Sequence, residues 1–409
     1  MNPRAFFLAL VGLASIASTV SAADIIVPTD APTVQAALFA SSPGDVIRVQ
    51  TAAFQSGTLT IQHPISIVGD PVCNYRFGYG QDAFILNGPG SGEVILSGIS
   101  LFYVAQDSNG SRSVWGGGFD HVAIIDSTLE HNNNQPTGVI TSVFPAVELT
   151  DVPRLSVMQS TLLGGRAGTD DCILNPQQFA ENGGPGILAP NTDVLLVGST
   201  VTGGAGGSGL EIAFNPCPPS VDTWNGQGGD GVVARSLYMY SSTVSGGQGV
   251  VWKSDPTGFC QGAVDCGQAI DGTAQVVTGT QVVADCSRLG LGPVIGNQVP
   301  ATQVLGGSVV FHWDGTSQGC WPSLTSCATN CVGLLFVSVD LPARALPFGS
   351  TVLHLDPAGA QLLQAFPAHT QTTMPFPVPT QPTLVGQGWS AQAWVSTGEL
   401  SAPVFGTVR

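Results

Sequence analysis

The sequence predicts an all-β protein in which a parallel solenoid of short strands over residues 23–289 precedes a smaller antiparallel domain over residues 301–409. Three observations support this fold class. A nine-residue pattern recurs four times, glycine accounts for 53 of the 409 residues, and only 9% of the residues are charged. Low charge combined with 43% hydrophobic residues is typical of a packed β-rich chain and excludes a disordered polyelectrolyte.

The recurring pattern consists of two alternating apolar positions, two spacers, Ser-Thr and one further apolar residue. Its copies lie 33, 39 and 43 residues apart, beginning at His121, Arg154, Asp193 and Ser236. Alternation with a period of two predicts a strand with one face inward. We therefore expect the second residues of the four copies to form one interior column: Val122, Leu155, Val194 and Leu237.

A second short strand precedes each copy and is marked by Val114, Val147, Ile187 and Val232. Two strands and a Ser-Thr bend per repeat, with glycine-rich corners, describe one coil of a parallel solenoid. A helical repeat is excluded because β-branched residues dominate and glycine interrupts every copy. In the bend, the hydroxyl groups are expected to bond local backbone groups.

The N-terminal part predicts a short amphipathic helix that caps the first coil. Thr33 is the expected N-cap, Val34, Ala37 and Leu38 form the apolar face, and Pro43-Gly44 ends the helix. Strands are expected at 45–49, 58–61 and 65–68. An open solenoid end leaves an unpaired strand edge, which a helix can cover.

This N-terminal stretch also carries a family resemblance. The segments APTVQAALFASSPGDVIRV and GTLTIQHPISIVGD resemble the opening of the bacterial pectin-lyase-like superfamily. The resemblance implies a right-handed parallel β-helix with an N-terminal capping helix over residues 23–289, in a secreted member that is not a polygalacturonase. It implies little about function, because this scaffold carries lyases, hydrolases, adhesins and inert surface proteins.

The first 22 residues predict a secretory signal peptide. Arg4 provides the positive end, 5–17 the apolar stretch, and Val20-Ser21-Ala22 a small-residue cleavage site. We therefore expect a secreted or cell-surface protein with no transmembrane segment after cleavage near Ala22. Eleven basic residues against 27 acidic ones give a net charge of −16, which argues against a nucleic-acid partner.

Residues 290–300 are expected to be a linker, and 301–409 a small antiparallel β-sandwich. Seven short strand-like runs at regular spacing predict the sandwich. One of these runs carries Pro375, Pro377 and Pro379, which confine it to an edge of the sheet. This part resembles the C-terminal modules of secreted β-helix proteins of environmental bacteria, and the resemblance implies a role in surface attachment.

Nine cysteines fit an oxidising compartment, and their odd number leaves at least one thiol free or paired with another chain. Same-corner insertions in neighbouring coils predict a bridge between Cys172 and Cys217. A second bridge is expected within one insertion, between Cys260 and Cys266. Within the sandwich, two of three cysteines are expected to pair: Cys320, Cys327 and Cys331.

Long insertions follow the four copies at the same corner of the coil, at 130–145, 164–185, 203–230 and 246–267. Stacked coils place such insertions side by side, in a wall roughly 15 Å across, and insertions this long are often functional. Aromatic rings stack on sugars and carboxylates bind their hydroxyls, so we expect glycan contacts at Trp224, Trp252, Asp222 and Asp230. The alternative is that the insertions merely decorate the solenoid.

The same insertions hold the weaker catalytic candidates Asp170, Asp171 and Lys253. Gly168-Thr-Asp-Asp-Cys-Ile173 resembles a polygalacturonase segment, but the Gly-His-Gly and Arg-x-Lys motifs of that family are missing. In a uronate lyase Lys253 or Arg235 would be the base, and Asp170 with Asp171 would hold calcium. A serine hydrolase is disfavoured because no Gly-x-Ser-x-Gly motif is present.

These observations predict an extracytoplasmic, non-catalytic protein that presents its insertions to a polysaccharide or a cell-surface glycan. The rival class is a polysaccharide lyase or glycoside hydrolase acting on uronic-acid-containing polymers, and the third is a purely structural envelope protein. No cofactor is expected apart from calcium, and the oligomeric state is left open.

Overall fold

The structure, a computed structural model, describes part of the chain, and predicted signal-peptide residues 1–21 lie outside it. The N-terminal part is described over residues 22–51, 53–77, 82–103, 112–130, 143–167, 182–206, 227–249, 267–276, 281–285 and 288–291. The C-terminal part is described over residues 301–303, 308–314, 332–338, 346–348, 351–353, 360–367, 371–377, 388–395, 399–400 and 404–408. Within these ranges the protein is β-rich, with a single helix.

The helix, α1 (Val34–Ala40), follows the sequence prediction closely. The Thr33 hydroxyl accepts a hydrogen bond from the Ala36 N–H at 3.1 Å, as an N-cap does. Val34, Ala37 and Leu38 are buried against the first strands. The predicted N-cap and apolar face are therefore confirmed.

The strands of the N-terminal part form one large, curled parallel sheet in which each strand pairs with its equivalents in the coils before and after. The pairings define three stacks. The first stack contains β1 (Asp24–Val27), β2 (Val46–Val49), the N-terminal parts of β5 (Ile65–Phe77) and β7 (Glu93–Tyr103), β9 (His121–Ile125), β12 (Arg154–Met158), and the C-terminal parts of β14 (Ile187–Val197), β16 (Val232–Tyr240) and β18 (Ile270–Val276).

The second stack contains β3 (Ala53–Ser56), the C-terminal parts of β5 and β7, β10 (Thr128–Glu130), β13 (Thr161–Leu163), β15 (Thr200–Thr202), β17 (Thr243–Ser245) and β19 (Gln281–Asp285). The third contains β4 (Leu59–Ile61), β6 (Phe84–Asn87), β8 (Val114–Gly117), β11 (Val147–Thr150) and the N-terminal parts of β14, β16 and β18. A last strand, β20 (Arg288–Leu291), pairs antiparallel with β19 and extends into the predicted linker.

The predicted interior column is confirmed. Val122, Leu155, Val194 and Leu237 are register partners in consecutive coils, and all four are buried in the central core. This stack is also buried on its outward face, where Ile125, Met158, Val197 and Tyr240 pack together. Burial on both faces is typical of parallel sheets.

The bend between the first and second stacks holds a ladder of buried serines. Ser127 N–H donates to Ser160 Oγ at 3.0 Å, Ser160 N–H to Ser199 Oγ at 3.2 Å, and Ser199 N–H to Ser242 Oγ at 3.1 Å. Each hydroxyl in turn donates to a carbonyl two residues earlier. The expectation that the bend hydroxyls satisfy backbone groups is confirmed.

The C-terminal part contains a small antiparallel sheet. Its central strand β23 (Val332–Ser338) pairs with β26 (Gln361–Pro367) and β28 (Gly388–Val395). The remaining strands are β21 (Ala301–Gln303), β22 (Ser308–Asp314), β24 (Leu346–Phe348), β25 (Thr351–Leu353), β27 (Gln371–Pro377), β29 (Glu399–Leu400) and β30 (Val404–Val408). A strand lies in, or overlaps, each of the seven predicted runs, at 307–313, 333–340, 350–356, 361–366, 374–378, 387–395 and 404–408. Within the described residues β27, which carries Pro375 and Pro377, pairs with β22 alone, as an edge strand does.

Candidate functional site

The three longest insertions leave the sheet at one corner, between the second and third stacks. Each has a described outgoing leg, at 164–167, 203–206 and 246–249, and a described return leg, at 182–186, 227–231 and 267–269. Outgoing legs pair from coil to coil: Ala167 N–H donates to Ala205 O and Gly206 N–H to Gln248 O, both at 2.8 Å. The outgoing and return legs of one insertion together form its neck. The necks of neighbouring insertions are therefore stacked one coil apart.

A ladder of backbone hydrogen bonds closes each neck. Gly184 N–H donates to Gly165 O at 2.8 Å, Gly229 N–H to Gly204 O at 2.8 Å, and Gly267 N–H to Gly247 O at 3.1 Å. Between the necks, Gly204 N–H donates to Gly184 O and Gly247 N–H to Gly229 O, at 2.8 and 2.7 Å. One continuous glycine seam thus joins outgoing and return legs across three coils.

Only glycine fits in this seam. A Cβ atom on Gly204 would lie 1.8 Å from Gly165 O, and one on Gly247 would lie 1.8 Å from Gly204 O. Both distances are far below any real contact, and the obstructing atoms belong to the backbone. The Gly-Gly pairs that end three of the repeats therefore have a structural reason, which is the close approach of neighbouring legs.

Most of the predicted site residues lie between these legs and outside the described residues. Residues 168–181, 207–226 and 250–266 contain Asp170, Asp171, Cys172, Cys217, Asp222, Trp224, Trp252, Lys253, Cys260 and Cys266. Their predicted roles in catalysis, glycan binding, calcium binding and disulfide formation remain predictions. The structure shows that the chain on either side of each of these segments is held at the same corner, between the second and third stacks.

Asp230 is the one predicted glycan contact within the described residues. Its Oδ1 accepts the backbone N–H of Gln268, in the return leg of the next coil, at 2.8 Å. Asn182 Oδ1 accepts the N–H of Gln227 in the same way, at 2.8 Å. Side chains of the return legs therefore reinforce the stacking of the necks.

A cationic and aromatic cluster lies beside the seam, on the third stack. The guanidinium of Arg112 lies 4.7 Å from the ring centre of Trp115 and 4.5 Å from that of Phe144. Arg112 Nε lies 2.8 Å from Glu148 Oε2, and the Asp82 carboxylate accepts the backbone N–H of Arg112 at 2.8 Å. The Glu148 and Asp82 side chains are each 22% exposed.

This cluster adjoins the first neck directly, because the carbonyl of Phe144 accepts the N–H of Gly165 at 3.0 Å. A partly exposed tryptophan with two partly exposed carboxylates provides ring stacking and hydroxyl acceptors, the groups that bind sugars. Sequence reasoning missed these residues. The signal was available: Trp115 and Glu148 each follow a predicted strand marker by one residue, and they are register partners.

A second polar cluster crosses the outward face of the first stack. His121 Nδ1 lies 2.7 Å from Glu93 Oε1, and His121 Nε2 lies 2.8 Å from Ser156 Oγ. The order Glu-His-Ser resembles a hydrolase triad, yet Ser156 is only 1% exposed and His121 only 4%. Strands on both sides pair with the backbone around Ser156, so its neighbouring N–H groups cannot form an oxyanion hole.

This cluster is therefore structural. Burial raises the pKa of Glu93, but the charge and hydrogen bond of His121, together with the charge of Arg154, outweigh burial and hold it below the ordinary value. The sequence predicts His121, at the start of its strand, to be a surface residue with satisfied hydrogen bonds; the structure confirms the partners but not the exposure. Both ring nitrogens have partners, but the ring is buried because the outward face of this stack is itself packed.

Three further findings bear on function. Within the described ranges no group of three or more His, Cys, Asp or Glu residues could hold a metal ion. Among those same residues, no helix has the length and apolarity needed to cross a membrane. Comparison with known proteins finds no family model, no curated protein and no solved structure that matches this chain.

Proposed function

We propose that this chain is an extracytoplasmic, non-catalytic glycan-binding protein with the right-handed parallel β-helix fold of the pectin-lyase-like superfamily. In this proposal α1 caps the first coil, and the C-terminal strands form a β-sandwich. Support for the fold comes from the three parallel stacks, the coil-to-coil register and the serine ladder, all of which suit a closed solenoid.

The observation that carries the function is the glycine seam. It holds the ends of three consecutive insertions against one another at one corner, beside the Arg112 cluster. Binding residues are commonly placed on loops that a rigid scaffold positions. Trp224 and Trp252 are the proposed stacking rings, with Asp222 and Asp230 as hydroxyl acceptors and Trp115 as a contact at the base.

A glycan array followed by titration calorimetry on the best ligand tests this proposal. Trp224→Ala and Trp252→Ala are each expected to lose about 1–2 kcal/mol of binding free energy, which is the scale of aromatic stacking. Their melting temperatures should stay close to that of the parent chain, since neither residue lies on an inward strand. Trp313→Ala in β22 is the matched control and should leave binding unchanged.

Two further measurements separate this proposal from its rivals. If calcium takes part in glycan binding, Asp170→Asn and chelation of calcium should both weaken it. If calcium takes no part, neither change should affect glycan binding. If the protein releases reducing or unsaturated sugar ends, and Asp171→Ala abolishes this release, the protein is a hydrolase or lyase and not a binding protein. Absence of any glycan ligand on the array, with normal folding, would favour the structural envelope protein.

A further inference from the structure

A small pocket at the N-terminal end of the chain, separate from the insertions, has the features of a second binding site. Its volume is about 260 Å³. It lies between α1 and the chain that runs through and just beyond β4, and its lining residues are Gln35, Leu38, Phe39, Thr60, Gln62 and His63. This volume is just below the range of about 300–1,000 Å³ that pockets for drug-sized ligands have, and it matches a single ring-sized group.

Phe39 provides this pocket with an exposed aromatic surface. Its side chain is 82% exposed, although its neighbour Leu38 is buried in the core. Helix α1 therefore turns its apolar face inward and keeps a phenyl ring in solvent at the rim of the pocket. An exposed ring has both the apolar area and the flat face that pack against the C–H face of a sugar ring.

His63 supplies a polar ring to the lining of this pocket. Ser41 Oγ donates its single proton to Leu38 O at 2.9 Å, and it also lies 3.0 Å from His63 Nε2. With the hydroxyl proton on Leu38 O, the ring tautomer that fits is the one in which Nε2 carries the proton and donates to Ser41. In the neutral ring this leaves Nδ1 as an acceptor, and no described residue donates to it.

The remaining polar lining consists of two amides and one hydroxyl, from Gln35, Gln62 and Thr60. Amides present a donor and an acceptor together, which suits the paired hydroxyls of a sugar. No lining residue carries a carboxylate, ammonium or guanidinium group. The net charge of −16 also disfavours an anionic ligand.

We propose that this pocket binds one residue of a neutral saccharide, which stacks on Phe39 and bonds Gln35, Gln62 and His63. The site is independent of the proposed insertion face. It would give the protein two glycan contacts, one at the first coil and one at the later coils.

Ligand-observed NMR on the intact protein tests the site, using methyl glycosides of glucose, galactose and mannose and the methyl glycoside of glucuronate as the charged comparison. Saturation transfer is expected to at least one neutral glycoside and not to the uronate. Phe39→Ala should weaken that binding by about tenfold or more. Phe39→Trp keeps an aromatic ring at this position and should bind as the parent chain does. Leu362→Ala removes another exposed apolar side chain and should change nothing.

The two proposed binding sites can be tested independently of each other. The double variant Trp224→Ala, Trp252→Ala should keep full saturation transfer from the N-terminal pocket, whether or not it still binds glycans on the array. The inference is overturned if Phe39→Ala binds the neutral glycosides as the parent chain does, or if no neutral glycoside receives saturation. It is equally overturned if Phe39→Ala alters the sedimentation coefficient without loss of glycoside binding, because Phe39 would then contact a second copy of the chain.

Discussion

At the scale of single residues, Glu93 offers the sharpest test of the buried polar cluster. Its folded-state pKa is lowered, so its ionised form stabilises the fold. That contribution is complete above the unfolded value of about 4.3 and is lost as pH falls through the folded value. Glu93→Gln should therefore reduce the free energy of unfolding by about 1 kcal/mol at pH 7, and the difference from the parent chain should shrink below pH 4.

Urea unfolding at several pH values measures this difference. Glu130→Gln is the matched control, because Glu130 is also an outward glutamate but forms no ion pair with any described residue. Its effect should be small at every pH. A Glu93→Gln deficit that persists unchanged at pH 3 would mean that the side chain acts through packing and not through its charge.

At the scale of elements, the glycine seam has a consequence for stability. In Gly204→Ala the new methyl group would meet Gly165 O and Gly165 C, at 1.8 and 2.4 Å. Neighbouring legs must then separate, which should lower the free energy of unfolding by about 2–3 kcal/mol and weaken glycan binding at the insertions. Gly90→Ala is the control: it meets no atom within 4 Å, so only its φ of +88° opposes the substitution, by about 1–2 kcal/mol. Calorimetric unfolding of both variants checks the difference.

The elements themselves could be predicted because the coil repeats. Each repeat carries the same inward pair and the same Ser-Thr bend, so four copies at similar spacing define strand positions and faces. The same repeat places Trp115 beside Glu148, but it does not place Arg112 or Phe144, which lie outside the strands. Arg112 and Trp115 belong to one coil and Phe144 and Glu148 to the next, so their meeting depends on the register between coils. His121 was misjudged for a similar reason, since its burial depends on outward neighbours in adjacent coils.

At the scale of the whole molecule, repetition makes the fold easier to predict than the function. Stacking fixes the interior column and the corner at which the insertions leave, and both follow from one sequence period. Most of the candidate binding residues lie in the insertions, whose sequences differ between coils, so one coil does not predict the next. The N-terminal pocket depends on how α1 lies beside β4, which no repeat describes.

The cysteines give a prediction for the whole chain. Cys73 is a free, fully buried thiol in the core, and burial raises its pKa to about 12, so it is hardly ionised near neutral pH and is shielded from reagents. The other eight of the nine cysteines lie outside the described residues, and the predicted bridges Cys172–Cys217 and Cys260–Cys266, with one pair in the C-terminal part, use six of them. If Cys286 and the remaining C-terminal cysteine also pair, a thiol reagent should find no reactive group in the native protein and one after denaturation without reductant. The single labelled peptide should contain Cys73. Three labelled cysteines after denaturation would leave those last two unpaired, and more than three would contradict the predicted bridges.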